Sequence, residues 1–199
     1  MNTLGMRMRR WIGCLAAAAA ITMALLGCGS APSPGAQQPT ESGASAQDST
    51  QQSSSSAKRG ASFSLESVDG KTVSLSDYLG KNVVLLDFWA TWCEPCLAAM
   101  PHLNDIFKRH RGEGFVLLSI SMDGPDTVAE VRSYTRRHKL SFPVLLDEES
   151  RAVSLYNPKR SAPYAVLIGK DGAIIGKRDG YQPGDEAAIE AEIVEALGR

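Results

Sequence analysis

The sequence predicts an α/β fold: a central mixed β-sheet flanked by helices, with an N-terminal β-hairpin. Two near-continuous apolar runs, 83–90 and 115–120, are typical of strands buried on both faces. Apolar residues recur at helical spacing over 125–139 and 185–197, as in helices with one buried face. Strands that alternate with helices favour a sheet covered on both sides.

The individual elements follow from local patterns. Apolar residues alternate on both sides of Asp69-Gly70, which indicates a hairpin. Asp171-Gly172 separates two further short apolar runs in the same way. In chain order the sequence predicts the first hairpin, strand 83–90, helix 93–110, strand 115–120, helix 125–139, strand 142–146, short helix 149–156, a hairpin of 165–168 with 173–176, and helix 185–197.

The N-terminus has the pattern of an export signal. Three arginines (Arg7, Arg9 and Arg10) precede an uncharged apolar stretch that ends near Leu26. That stretch is shorter than the roughly 18–20 apolar residues that span a bilayer. Leu25-Leu26-Gly27-Cys28 resembles the lipobox of bacterial lipoproteins. We therefore expect residues 1–27 to be a signal peptide, Cys28 to carry lipid, and the protein to be exported to the periplasmic or cell-envelope side; an uncleaved membrane anchor is the alternative.

Residues 28–60 are rich in Ser, Gln, Ala, Gly and Pro. Such a segment has too little apolar surface to offset the entropy of ordering, so we expect a disordered tether. A flexible coil of about 32 residues has a root-mean-square span of ~30 Å. The tether would hold a domain comprising residues 61–199 near the membrane, or would serve only as a spacer.

Charge and cysteine content exclude several classes of function. The chain has 22 acidic residues and 21 lysines and arginines, and this balance argues against nucleic acid as a partner. Of four cysteines, Cys14 and Cys28 lie in the N-terminal segment, while Cys93 and Cys96 form a single C-x-x-C. One such pair is a poor zinc site. We expect no metal and no cofactor other than a redox-active Cys93–Cys96 disulfide.

The segment Asp87-Phe-Trp-Ala-Thr-Trp-Cys-Glu-Pro-Cys96 runs from the apolar strand into a helix. It resembles the active site of thioredoxins, and its W-C-E-P-C form is most similar to the TlpA/ResA branch of exported thioredoxin-like proteins. The resemblance covers about residues 61–199. It implies a thioredoxin-like fold and a protein-disulfide oxidoreductase that reduces exported proteins. Apocytochrome c is one possible target, and a membrane thiol–disulfide transducer would be the electron donor.

The chemistry follows from the position of the two cysteines. Unpaired N–H groups and the positive end of the helix dipole favour a thiolate at a helix N-terminus, and the thiolate is the attacking species. Cys93 would be exposed and attack a target disulfide, and Cys96 would resolve the mixed disulfide.

Glu94 would set the direction of electron flow. Its carboxylate opposes a second negative charge on Cys93; a rise of about one pKa unit corresponds to ~1.4 kcal/mol. For this two-electron couple that energy is roughly 30 mV, which makes the disulfide less oxidising. The alternative is a solvated residue at the helix start with no redox effect.

Asp87 is unusual because a charged residue in so apolar a strand is costly unless paired or protonated. Thioredoxins carry a similar buried acid that accepts the proton of the second cysteine, here Cys96. TlpA/ResA relatives often have Asn there and a Glu on the helix, where this chain has Ala99. We therefore hypothesise that Asp87 takes over proton transfer; the alternative is a strand-edge or strand-end Asp bonded to backbone.

Three further residues are candidates for substrate contact. Pro163 resembles the cis-proline that faces the C-x-x-C in thioredoxins, and the backbone of Ala162 would then pair with an extended substrate segment. Trp92 could also touch substrate. The alternative for Pro163 is an ordinary proline at the entry to a strand.

Two other functions stay open. A thiol peroxidase of related fold would carry P-x-x-x-T-x-x-C, but Leu86 and Ala90 occupy the Pro and Thr positions. A non-catalytic lipoprotein binding module could hold the cysteines as a structural disulfide, which an exported protein permits.

Overall fold

The computed structural model describes residues 60–199. The predicted signal peptide, the lipidation site Cys28 and nearly all of the predicted tether lie outside the described residues, so these assignments stay predictions. Among residues 60–199, no helix is long and apolar enough to cross a membrane.

In the part of the chain that the structure describes, seven strands form one mixed sheet. They are β1 Ser64–Ser67, β2 Thr72–Ser74, β3 Val83–Trp89, β4 Phe115–Ser121, β5 Val144–Leu146, β6 Tyr164–Ile168 and β7 Ile174–Asp179, and their order in the sheet is β2-β1-β5-β4-β3-β6-β7. The central strand β3 runs parallel to β4 and antiparallel to β6. Every residue of β3 is buried, as its apolar sequence predicts.

Within residues 60–199, four α-helices flank the sheet: α1 Glu94–His110, α2 Val128–Arg137, α3 Arg151–Tyr156 and α4 Asp185–Leu197. The predicted helix 125–139 is shorter because Pro125–Thr127 form a separate 3₁₀ turn. Helix α3 begins later than predicted, at Arg151, where the Asp147 carboxylate accepts hydrogen bonds from the N–H groups of Arg151 and Val153 at 2.7 and 2.8 Å.

The sheet separates two apolar cores. Alternate residues of a strand point to opposite faces, so Leu85 and Trp89 pack with α1, α2 and α4 while Leu86 and Phe88 pack with α3 and the hairpin. The predicted hairpin is present: β1 and β2 pair antiparallel, and Gly70 turns the chain with a φ of 77° that other residues rarely adopt. Helix α1, which begins at the C-x-x-C, therefore covers the same sheet face that Leu85 and Trp89 share.

Candidate redox site

The C-x-x-C lies where β3 passes into α1. Cys93 is the N-cap residue of α1, and its sulfur accepts a hydrogen bond of 3.3 Å from the Cys96 N–H. Pro95 stands in the first turn, where a helix needs no N–H donor. A disulfide joins Cys93 and Cys96, with their Cα atoms 5.3 Å apart. The predicted pair is thus brought together at the positive end of a 17-residue helix.

Both cysteines are buried in this disulfide form. Cys93 is 4% exposed and Cys96 is 1% exposed, so the prediction of an exposed Cys93 is wrong for the oxidised protein. The bond to Cys96 holds the Cys93 sulfur against the start of the helix. Both residues belong to the core that includes Ala90 and Met100, and Ala162 packs against this core.

The two residues that flank Cys93 are on the surface. Trp92 is 67% exposed. Glu94 is also exposed, and it is the first residue of α1, where a carboxylate interacts favourably with the helix dipole.

Asp87 lies in the middle of the sheet. It pairs with Ser119 of β4 and with Ala165 of β6, and the alternation along β3 directs it to the face covered by α1. Ser119 Oγ donates a hydrogen bond of 3.2 Å to its carboxylate. Burial raises the pKa of Asp87 to about 7, and the Ser119 bond lowers it by a smaller amount. The alternative of an edge or strand-end Asp bonded to backbone is therefore wrong, because β3 has a neighbour on each side.

A cavity of about 20 Å³ adjoins Asp87 between α1, β6 and α4. Its wall includes Ala99, Leu103, Pro163 and Tyr181. A cavity of this size has room for about one water molecule. The small side chain at Ala99 therefore borders space beside the buried carboxyl.

The Ala162–Pro163 peptide bond is cis, and Pro163 is buried at the entry to β6. The preceding loop is held by Asn157, a residue that the sequence analysis missed. Its side-chain N–H donates to the Ser161 carbonyl at 2.7 Å, and its side-chain oxygen accepts from the Ser161 N–H at 3.0 Å. Asn157 is 1% exposed, so a buried amide determines where the backbone before Ala162 runs.

Asp123 is the second residue that the sequence analysis missed. It follows β4 and is 2% exposed, and its carboxylate accepts hydrogen bonds from both the N–H and the hydroxyl of Thr91. The position of Asp123 in the sequence could have identified it. Parallel strands end at the same edge of a sheet, so a polar residue after β4 lies near the loop that follows β3.

Within the described range, no three His, Cys, Asp or Glu side chains are grouped so that they could hold a metal ion.

Residues 57–177, more than half of the chain, match the model of the AhpC/TSA family. The chain belongs to the AhpC/TSA family. This AhpC/TSA-family protein is 32% identical over 99 residues to a thiol-disulfide oxidoreductase ResA of Bacillus cereus, a match that covers 50% of this chain and 56% of the relative. It thus spans about half the length of the curated relatives it matches.

Two solved structures resemble the AhpC/TSA-family protein over nearly their whole length. The structure named as thiol:disulfide interchange protein DsbE from Chlorobium tepidum has a TM-score of 0.65 and 30% identity, and the match covers 71% of this chain and 96% of that chain. The exposed lipoprotein thioredoxin Etrx1 of Streptococcus pneumoniae has a TM-score of 0.58 and 32% identity, with 68% and 99% covered. The predicted thioredoxin-like fold and the resemblance to ResA-type proteins are confirmed.

Proposed function

We propose that this protein is a thiol–disulfide oxidoreductase that reduces disulfides of exported proteins through Cys93 and Cys96. The observation that carries the proposal is the Cys93–Cys96 disulfide at the N-terminus of α1, where the Cys93 sulfur already accepts the Cys96 N–H bond. A thiolate formed there is stabilised by the same hydrogen bond and by the positive end of the helix dipole. The names of the similar ResA and DsbE proteins support this activity.

In the proposed cycle the reduced protein donates two electrons. The Cys93 thiolate attacks one sulfur of the target disulfide, and the other target sulfur leaves as a thiolate that takes up a proton. Cys96 then loses its proton and attacks the Cys93 sulfur, which releases the second target sulfur and forms the Cys93–Cys96 disulfide. A thiol donor must reduce this disulfide again, and we assign that step to a membrane thiol–disulfide transducer.

Asp87 is the proposed acceptor of the Cys96 proton. A carboxyl whose pKa is about 7 changes its protonation state readily at neutral pH, as a proton-transfer group must. Asp87 faces the side of the sheet that α1 covers, and the adjoining cavity at Ala99 has room for about one water that could pass the proton on.

The remaining site residues would either set the direction of electron flow or contact the substrate. Glu94 adds negative charge next to Cys93 and would favour the reductase direction. The exposed ring of Trp92 and the backbone at Ala162, beside Pro163, would contact an extended substrate segment. A haem-attachment C-x-x-C of apocytochrome c is a target with the required chemistry, because its two cysteines can form a disulfide.

We also propose that lipid on Cys28 anchors the protein at the cell envelope, outside the cytoplasm. The lipobox-like sequence before Cys28 supports this, and the similar Etrx1 protein is named as an exposed lipoprotein. Labelling cells with a radioactive or alkyne-bearing fatty acid tests the anchor: wild-type protein should be labelled, and a Cys28→Ala variant should not.

The decisive test of the activity is a trapping experiment with Cys96→Ser. This variant can attack a target but cannot resolve the product, so a stable mixed disulfide should accumulate with an oxidised peptide carrying a haem-attachment C-x-x-C. Cys93→Ser, which lacks the attacking sulfur, is the matched control and should trap nothing. Failure of the reduced wild-type protein to reduce the peptide, together with a redox potential below about −300 mV, would instead indicate a structural disulfide.

A further inference from the structure

The loop that connects β3 to the C-x-x-C is attached to a buried carboxylate on the neighbouring strand end. Asp123 Oδ2 accepts the Thr91 N–H at 3.0 Å, and Asp123 Oδ1 accepts the Thr91 hydroxyl at 2.5 Å. Ser121 Oγ donates a third hydrogen bond of 2.8 Å to Oδ2. Three donors converge on a side chain that is 2% exposed, so the carboxylate is desolvated but well satisfied.

Backbone hydrogen bonds also hold the loop in place on both sides of Thr91. The Met122 N–H donates to the Trp89 carbonyl at 2.8 Å, and the Cys93 N–H donates to the Ala90 carbonyl at 3.1 Å. The segment between the sheet and the helix is therefore fixed just before Cys93. Thr91 is the one position in it that bonds to Asp123 through both its backbone and its side chain.

We infer that Asp123 is a positioning residue, which acts through Thr91 to hold Cys93 at the N-cap of α1. The inference rests on the proposed function, in which the ionised Cys93 sulfur is the attacking group. That sulfur benefits from the Cys96 N–H and from the helix dipole only while it stays at the N-cap. A loop released from Asp123 lets Cys93 move away from this position, so the pKa of the reduced Cys93 thiol rises.

The test compares Thr91→Val with Thr91→Ser in the full-length protein. Valine keeps the shape of threonine but lacks the hydroxyl that donates to Asp123, whereas serine keeps it. Thr135→Val is a matched control, because the Thr135 hydroxyl donates only to the Val131 carbonyl within α2, at 2.8 Å. The reduced proteins are alkylated with iodoacetamide over a range of pH, and digestion with mass spectrometry gives the rate at Cys93 alone.

We expect Thr91→Val to shift the pH profile of Cys93 alkylation upward by about one unit, which slows the reaction at neutral pH by up to about tenfold. Thr91→Ser and Thr135→Val should follow the wild-type profile. Combining Asp123→Ala with Thr91→Val should give less than the sum of the two single effects, because each change removes the hydrogen bond between the Thr91 hydroxyl and the Asp123 carboxylate.

Three results would overturn the inference: a wild-type profile for Thr91→Val, an equal shift for Thr91→Ser, or an equal shift for Thr135→Val. Thermal unfolding of each variant is measured in parallel, and a lower melting temperature with an unchanged alkylation profile means a merely structural role. Alkylation needs no disulfide substrate. The experiment therefore reports on Asp123 whether or not the reductase activity is found.

Discussion

Ser119 Oγ donates a hydrogen bond of 3.2 Å to Asp87 Oδ2 across two adjacent central strands, and both residues are buried. One neutral hydroxyl cannot replace the water that an ionised carboxylate loses on burial. This is why burial outweighs the Ser119 bond and raises the pKa of Asp87 to about 7. The raised pKa of Asp87 should affect both the stability of the protein and the resolution of the mixed disulfide.

Asp87→Asn should stabilise the protein above neutral pH. Because the folded-state pKa is raised from 3.8 to about 7, the stability associated with this group is fully present below about pH 4 and is lost as the pH rises through 7. The cost of the buried charge at about pH 8 is on the order of 4 kcal/mol, and asparagine removes most of it. Urea unfolding at about pH 4 and pH 8 checks this, and a variant that is less stable than wild type at pH 8 would contradict it.

The same substitution should slow the resolution of the mixed disulfide. Asparagine cannot accept the Cys96 proton, so the rate at neutral pH should fall by about 10²- to 10⁴-fold, the range that general base catalysis contributes. The wild-type rate of resolution should change as the pH passes 7, because the pKa of Asp87 is about 7. The Asp87→Asn variant should lack this change. Asp126→Asn, a change at an exposed position, is the control. Identical pH profiles for Asp87→Asn and wild type would exclude Asp87 from proton transfer.

Asn157→Ala should impair the site by releasing the loop before Pro163. The change leaves the N–H and carbonyl of Ser161 without their side-chain partner, at a cost of about 1–3 kcal/mol. We expect slower formation of the mixed disulfide in addition to lower stability, because the backbone at Ala162 is no longer fixed. Stopped-flow kinetics and urea unfolding measure the two effects.

Asn82→Ala is the matched control for this loop. Asn82 is a half-buried asparagine that donates to the Gly114 carbonyl at 3.1 Å, just before β3 and β4 begin and so at the opposite end of these strands from the redox site. The Asn82→Ala variant should be less stable than wild type but should form the mixed disulfide at the wild-type rate. If Asn82→Ala and Asn157→Ala slow the reaction equally, the loop has no special role.

Glu190→Gln should destabilise the contact between α1 and α4 more at acidic than at alkaline pH. Glu190 Oε1 lies 2.7 Å from His110 Nε2, and this bond is the largest cause of the raised pKa of His110. A raised histidine pKa means that the stabilisation is fully present below pH 6.5, the ordinary value, and is lost as the pH rises through the folded-state pKa. Urea unfolding at about pH 5.5 and pH 9 should show the larger loss at the lower pH.

Glu192→Gln provides the comparison for this ion pair. Glu192 contacts Arg178 at 2.7 Å, and arginine keeps its charge throughout this pH range. Glu192→Gln should therefore lower the free energy of unfolding by the same amount at both pH values. A pH-independent cost for Glu190→Gln as well would mean that Arg109, which Glu190 also binds, accounts for the whole effect.

The sequence by itself determined the class of fold and the pairing of the two cysteines. The apolar run of β3, the alternation around Asp69-Gly70 and the spacing of apolar residues in α4 are local signals, and each gave an element close to its observed bounds. Cys93 and Cys96 are three residues apart, so their pairing at a helix start also depends only on local geometry.

Only the tertiary structure decided what surrounds that pair. Asp123 is 32 residues from Thr91 along the chain, and Ser119 is equally far from Asp87; these contacts exist because β4 lies parallel to β3 in a particular register. The burial of Cys93 likewise depends on packing against distant residues. Hydrogen bonding and desolvation act through space, and local sequence patterns carry little information about which distant side chains the fold brings together.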